Sequence, residues 1–178
     1  MVNSVTAAAE NKYPATYKDV IDAPPNMVAQ ILDGTLHTHP RPAFLHGRAA
    51  YLIGGELMHP FDRGDGGPGG WWILFEQEIH LGDDVIVPDL AGWRRETMPE
   101  PPETPFVAIA PDWACEVLSP STRQIDLGPK RNICKRNEVL THFLPRALAP
   151  ALSDFPYRNR DKDFLHGVDD GVPPLVGR

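Results

Sequence analysis

Residues 85–90, VIVPDL, and residues 113–118, WACEVL, are two apolar runs that each carry one carboxylate, Asp89 and Glu116. The first run is nearly all apolar before Pro88, which predicts a buried strand. The second forms the core of a further strand over Val107–Leu118, ended by Ser119-Pro120-Ser121-Thr122. A charged side chain inside a buried strand is costly unless it is paired or bound to a metal. The chain between the two carboxylates is long enough for a strand, a loop and the return of a neighbouring strand. On adjacent strands, Asp89 and Glu116 would form an oxygen site suited to Mg²⁺ or Mn²⁺. Lys130, on the next helix, would return to that site, where a lysine positions a nucleophile or stabilises developing phosphate charge. The same pattern also fits a strand-end turn aspartate at 89 and a salt-bridge partner at 116.

Working outward, Trp71–His80 reads as a strand, joined through Gly82-Asp83-Asp84 to the Val85–Leu90 strand in a tight antiparallel connection. Asp126 is a plausible N-cap for a helix over Leu127–Val139, with Gly128 and Pro129 tolerated only in its first turn. Upstream, Phe44, Leu45, Ala49, Leu52 and Ile53 have helical spacing and predict a helix over Ala43–Met58, weakened at its end by Gly54-Gly55. Asp33-Gly34 between apolar runs predicts a hairpin within Met27–His39. Residues 60–70 read as a mobile glycine-rich loop, which accounts for the Arg63-Gly64-Asp65 triplet without an adhesion role. Residues 97–105 form a proline-rich loop. Three regions result: an N-terminal arm over 1–27, a core over 28–139, and a proline-rich tail over 140–178 in which no strand or helix period is legible.

Composition bounds the function. The 178 residues include 20 prolines and 15 glycines, about a fifth of the chain and roughly twice ordinary usage. A loop-rich single domain is expected. The formal net charge of −7 argues against a general nucleic-acid coating protein or a polybasic membrane binder. It leaves room for a nuclease whose carboxylates gather at a metal. Cys115 and Cys134 make no disulfide framework. No secretory signal pattern is visible at the N-terminus, and no apolar run reaches the ~18 residues of a membrane span. A cytoplasmic protein is expected. His37, His39 and His46 lack Cys/His partners at zinc spacing. Trp71, Trp72, Trp93 and Trp113 read as core and rim. Arg94, Arg95, Arg123, Lys130 and Arg131 fit either a phosphate-contacting rim or solvated surface charge. Cys115 reads as a small buried hydrophobe.

The runs VIVPDLAGWRRE (85–96) and PDWACEVLSPSTRQIDLGPKRN (111–132) resemble the Uma2 family of bacterial endonucleases. EVLSPST (116–122), followed by a basic residue, an Asp and a Lys, is the specific part. ILDGTL and PRPAFLHGRA, within 31–49, are similar to the family's N-terminal hairpin and first helix. The resemblance covers roughly residues 28–139. It implies an α/β domain, a mixed α+β sheet flanked by helices, with a PD-(D/E)xK restriction-endonuclease-like αβββαβ core. It also implies Mg²⁺-dependent (or Mn²⁺-dependent) hydrolysis of phosphodiester bonds, DNA as substrate, and a possible homodimer with no membrane partner. By position, Asp89 matches the Pro-Asp aspartate and Glu116 the acidic residue of E-x-K. Leu118 occupies the lysine place, and Lys130 matches the lysine supplied from the following helix. His46 matches a histidine often seen in the family. Asp112, in a second Pro-Asp pair, lies about 13 Å from Glu116 along the same strand at ~3.3 Å per residue, which favours Asp89 as the ligand. Glu78, near the end of the first strand, is a candidate third carboxylate or a solvent-facing residue.

The family usually follows its helix with an aromatic strand ending in Asp-Pro. Here 138–155 reads EVLTHFLPRALAPALSDF, while 155–171 looks family-like again. A local change of reading frame would explain this tail. The alternative function is therefore an inactive remnant or a non-catalytic nucleic-acid-binding module. A third is a small metal-binding protein with a different phosphoester substrate.

Overall fold

The computed structural model describes residues 14–145. The predicted arm up to residue 13, the tail from residue 146 and the family-like segment 155–171 lie outside the described residues.

The chain begins with a short helix α1 (Tyr17–Ile21) and a hairpin of β1 (Met27–Leu32) and β2 (Thr35–Pro40). Asp33 and Gly34 both have positive φ, at 50° and 73°. That is the turn geometry whose twist matches paired strands. Helix α2 (Phe44–Leu57) follows, then a π-helical turn over Met58–Arg63. The start of the predicted glycine-rich loop is therefore helical, and only the stretch after it is irregular.

The run Trp71–His80 is two strands rather than one. It divides into β3 (Trp71–Phe75) and β4 (Glu78–Leu81), which belong to different sheets. The break falls at Glu76, a non-glycine residue with φ of 42°. No glycine or proline announces it. β4 turns through Gly82 and Asp83 into β5 (Asp84–Ile86), the predicted tight antiparallel connection. Pro88 then ends pairing, and the chain changes sheet to form β6 (Leu90–Arg94). Asp89 stands at that crossing. β7 (Phe106–Val107) and β8 (Trp113–Leu118) follow.

The helical segment after β8 starts earlier than predicted. It comprises α3 (Arg123–Ile125), a π-helical turn over Asp126–Lys130 and α4 (Arg131–Arg136). Asp126 is inside it rather than capping it, because Thr122 takes the N-cap place. The kink lies at Gly128, whose φ/ψ of −103° and −108° leave the helical region. β9 (Leu140–Pro145) then pairs in parallel with β8 from Trp113↔Leu140 to Leu118↔Pro145. A strand therefore stands where LTHFLP shows no alternation to reveal one.

Two sheets result. One has the order β2-β1-β5-β4-β7 and the other β3-β6-β8-β9. Taken with its helices, the second sheet reads α2, β3, β6, β8, α3–α4, β9, the αβββαβ sequence of the expected core. The β4–β5 hairpin is an insertion between its first two strands. Alternation sorts this sheet's side chains. Leu90, Trp113, Cys115 and Val117 face α2, where Ala49, Ile53 and Leu57 cover them. Ala91, Trp93 and Ala114 face the other way, toward Ile133 and Cys134 of α4 and Ile79 and Ile86 of the first sheet. Gly92 is needed where it is, because a Cβ there would lie 3.1 Å from Ile73 and 3.3 Å from Trp71.

Candidate active site

Glu116 lies on the α4 side of β8, among Ala114 and its neighbours, so its carboxylate enters a nearly dry space. It is 3% exposed, and Lys130, across from it, is also 3% exposed. The π-helical turn over Asp126–Lys130 brings the lysine inward. Its Nζ lies 2.8 Å from Glu116 Oε1, donates to the Val87 carbonyl at 2.9 Å, and stands 3.8 Å from Asp126 Oδ1. Lys130 is thus a buried site residue and no part of a surface rim.

Asp89 is held from both sides. Its Oδ2 accepts the Val117 backbone N–H at 2.7 Å. Its Oδ1 lies 2.8 Å from His46 Nε2, on the buried face of α2. A carboxylate only accepts, so His46 Nε2 carries the proton. The Asp89 N–H points to Glu116 Oε2 at 3.4 Å, which brings the Glu116 carboxylate against the Asp89 backbone. The structure therefore joins Asp89, Glu116 and Lys130 in one cluster. Glu116 is a salt-bridge partner of Lys130 and also lies beside Asp89.

Glu78 is not brought to this cluster. It bonds His80 Nε2 at 2.8 Å, beside Tyr17, and His80 stacks on Phe106 with ring centroids 4.0 Å apart. Asp112 is also elsewhere. It accepts the Arg94 N–H at 2.8 Å and the Thr97 hydroxyl at 3.0 Å.

Sequence reading passed over three groups. Asp126 is a second buried carboxylate beside Lys130, after Glu116. Glu76 adds to the negative field at His46, after Asp89 and Asp126, and is paired to Arg41 at 3.2 Å. Gln30 donates toward His39 Nε2 at 3.4 Å and accepts the Val87 N–H at 2.8 Å, bracing the residue whose carbonyl holds Lys130. The spacing Asp126-x₃-Lys130 was the available signal for the first, because i and i+4 share a helix face.

The electrostatics follow from burial. Desolvation, opposed by Lys130 and reinforced by Asp89 and Asp126, pushes Glu116 up to about 8. Burial also raises Asp126. Burial alone would lower Lys130, but the carboxylates of Glu116, Asp126 and Asp89 outweigh it and hold the ammonium above its ordinary value. The hydrogen bond to Asp89 raises His46, whereas desolvation lowers His39. Three carboxylates thus share one lysine and one histidine.

Among the described residues, no three His, Cys, Asp or Glu side chains are gathered at metal-ligand spacing. The donor chemistry nevertheless suits a hard cation. Buried Glu116 and half-buried Asp89, with Asp126 behind the lysine, offer oxygen donors, and donors of this kind select Mg²⁺ or Mn²⁺.

Comparison with known proteins bears on the family and the fold. The model of the Uma2 family, described as "Putative restriction endonuclease", matches residues 14–149. A crystal structure of "a putative nuclease belonging to DUF820" from Anabaena variabilis superposes with a TM-score of 0.60, covering 73% of each chain at 18% identity. At that identity it shows a shared fold. No curated protein matches. No helix among the described residues is long and apolar enough to cross a membrane.

Proposed function

The chain belongs to the Uma2 family, and from that membership we propose a DNA endonuclease that hydrolyses phosphodiester bonds with Mg²⁺ or Mn²⁺ at Asp89 and Glu116. The observation that carries this reading is the convergence of Asp89, Glu116, Asp126 and Lys130 at the crossing between the two sheets. Asp89 and Glu116 would hold a divalent cation, which would supply charge neutralisation and acidity at the scissile phosphate.

The remaining steps belong to the chain. Lys130 is kept charged by its carboxylate neighbours, so it serves as a fixed positive group rather than a base. Aimed at a phosphodiester, it stabilises the charge that develops on the non-bridging oxygens. Asp126 and the Val87 carbonyl position its Nζ. His46 holds the Asp89 carboxylate in one orientation through Oδ1, and the Val117 N–H fixes the other oxygen.

Plasmid DNA incubated with Mg²⁺ or Mn²⁺ tests the reading. The protein should nick or cut it, Asp89→Asn should abolish cutting, and Lys130→Ala should slow it by ~10²-fold or more. Metal-dependent stabilisation without cleavage of any DNA tried would favour the non-catalytic alternative. Absence of both would leave the nuclease reading without support.

A further inference from the structure

Hydrolysis of a phosphodiester needs a group that takes a proton from the attacking water. On the reading above, Asp89 and Glu116 hold the cation, Lys130 keeps its ammonium, and His46 gives its Nε2 proton to Asp89. His39 is remote from these residues in sequence but not in space. On β2 it pairs with Val28 of β1, while His37 pairs with Gln30, so His37, His39 and Gln30 share one face of the hairpin. Gln30, 1% exposed, reaches from this face to the Val87 N–H, and the Val87 carbonyl holds Lys130. One side chain therefore separates His39 from the residue that anchors the lysine. The charged groups that act on its ring are Lys130 and Asp126, from the helical segment after β8, and Asp89, from the crossing between the sheets. β2 is an edge strand and His39 is half-buried on it, so the ring stands between the buried charges and solvent.

Two hydrogen bonds fix the state of that ring. His39 Nδ1 lies 3.0 Å from the Pro40 carbonyl oxygen, which only accepts, so Nδ1 carries the proton. Gln30 uses its amide oxygen on the Val87 N–H, which turns its NH₂ group to His39. Nε2 therefore presents a lone pair. It receives the Gln30 N–H at 3.4 Å, longer than the ~2.7–3.2 Å of a well-formed bond, so the lone pair is only loosely held. Burial lowers His39 and favours the neutral ring.

We propose that His39 Nε2 takes the proton from the water that attacks the phosphodiester, an assignment that rests on the nuclease reading. One O–H bond of the water breaks, and the Nε2 lone pair forms the new N–H bond. The hydroxide oxygen bonds to phosphorus as the bond from phosphorus to the leaving ester oxygen breaks. That oxygen takes a proton from solvent water, and the imidazolium returns its own proton to solvent.

Cutting of plasmid DNA with saturating Mg²⁺ or Mn²⁺ by the full chain tests this. His39→Ala should slow cutting by ~10²-fold or more, and added imidazole should restore ~10-fold of the loss. His39→Gln keeps a hydrogen-bonding group but no basic nitrogen, so it should be as slow as His39→Ala. Both variants should keep the metal-dependent rise in melting temperature, and their melts verify folding. In metal-free parent protein near neutral pH, the nitrogen shifts of the His39 ring should report the neutral Nδ1–H form. A parent that cuts while His39→Ala cuts as fast would overturn the proposal and leave the nuclease reading standing. So would full activity in His39→Gln, a His39→Ala protein indifferent to imidazole, or a ring found with its proton on Nε2. A parent that cuts no DNA with either metal would overturn the nuclease reading and this proposal with it.

Discussion

Two Pro-Asp pairs lie on neighbouring strands and have different fates. Pro111-Asp112 sits before β8, where Asp112 accepts one backbone N–H and one hydroxyl. Those neutral donors satisfy it, and it braces a loop. Pro88-Asp89 sits where the chain passes from one sheet to the other. Its aspartate has His46 on one oxygen, the Val117 N–H on the second, and Glu116 alongside. The dipeptide is the same, but the neighbours differ. A carboxylate becomes a candidate for chemistry when others are buried beside it with too few cations to balance them.

The largest effect should come from the cation that partly balances the second site. Among the described residues, Lys130→Ala removes the only ammonium beside Glu116 and Asp126, and breaking a buried pair in this way costs about 3–5 kcal/mol. Urea unfolding at neutral pH will measure it, with Asp112→Asn as the contrast at about 1 kcal/mol, the loss of ordinary hydrogen bonds. Equal losses in the two variants would erase the distinction drawn here.

Metal response comes next. Saturating Mg²⁺ or Mn²⁺ should raise the melting temperature, since a ligand that binds only the folded state stabilises it. Asp89→Asn should remove that increment and Asp112→Asn should keep it. An unchanged increment in Asp89→Asn would show that the cation sits elsewhere.

The smallest and most diagnostic effect is in pH. Glu116 has a folded value of about 8 against an ordinary 4.5, so the folded state holds the proton more tightly across that interval. His46, also raised, contributes stability below about 6.5 that is lost as pH rises through its folded value. Both act in the same direction. Metal-free protein should lose stability from about pH 5 to pH 8, Glu116→Gln should flatten the slope, and Asp112→Asn should leave it unchanged. A stability curve rising over this range would contradict the burial argument.

Much of this was legible in the sequence. Asp33-Gly34 gave away its hairpin through turn chemistry, α2 through helical spacing, and β8 through a run bounded by turn residues. Asp89 and Glu116 stood out because charge within apolar runs is conspicuous, and Lys130 through its place on the following helix and the family resemblance. The rest was hidden for physical reasons. Trp71–His80 splits at Glu76, whose left-handed backbone no residue type announces. β6 went unread because Ala91 and Gly92 are small for packing reasons, with Ile73, Trp71 and Trp113 crowding the glycine. β9 is an edge strand whose side chains are all half-buried or exposed, so no alternation marks it. Asp126 looked like a cap because the π-helical turn that turns Lys130 inward leaves no signature beyond Gly128-Pro129.

The seat of α2 against β3 ties a residue remote from the carboxylates to them. A methyl group at Gly54 would fall 2.0 Å from the tip of the Phe75 ring. The aromatic ring and the helix backbone touch with no allowance between them, like a key bearing on the floor of its slot. Phe75 is 46% exposed, so its ring can swing toward solvent, at the loss of that contact. Where the ring stays, α2 lifts from the sheet, and His46, two turns earlier, moves with it. Position 54 thus couples the fit of one exposed ring to the histidine on Asp89, although it touches no reacting group.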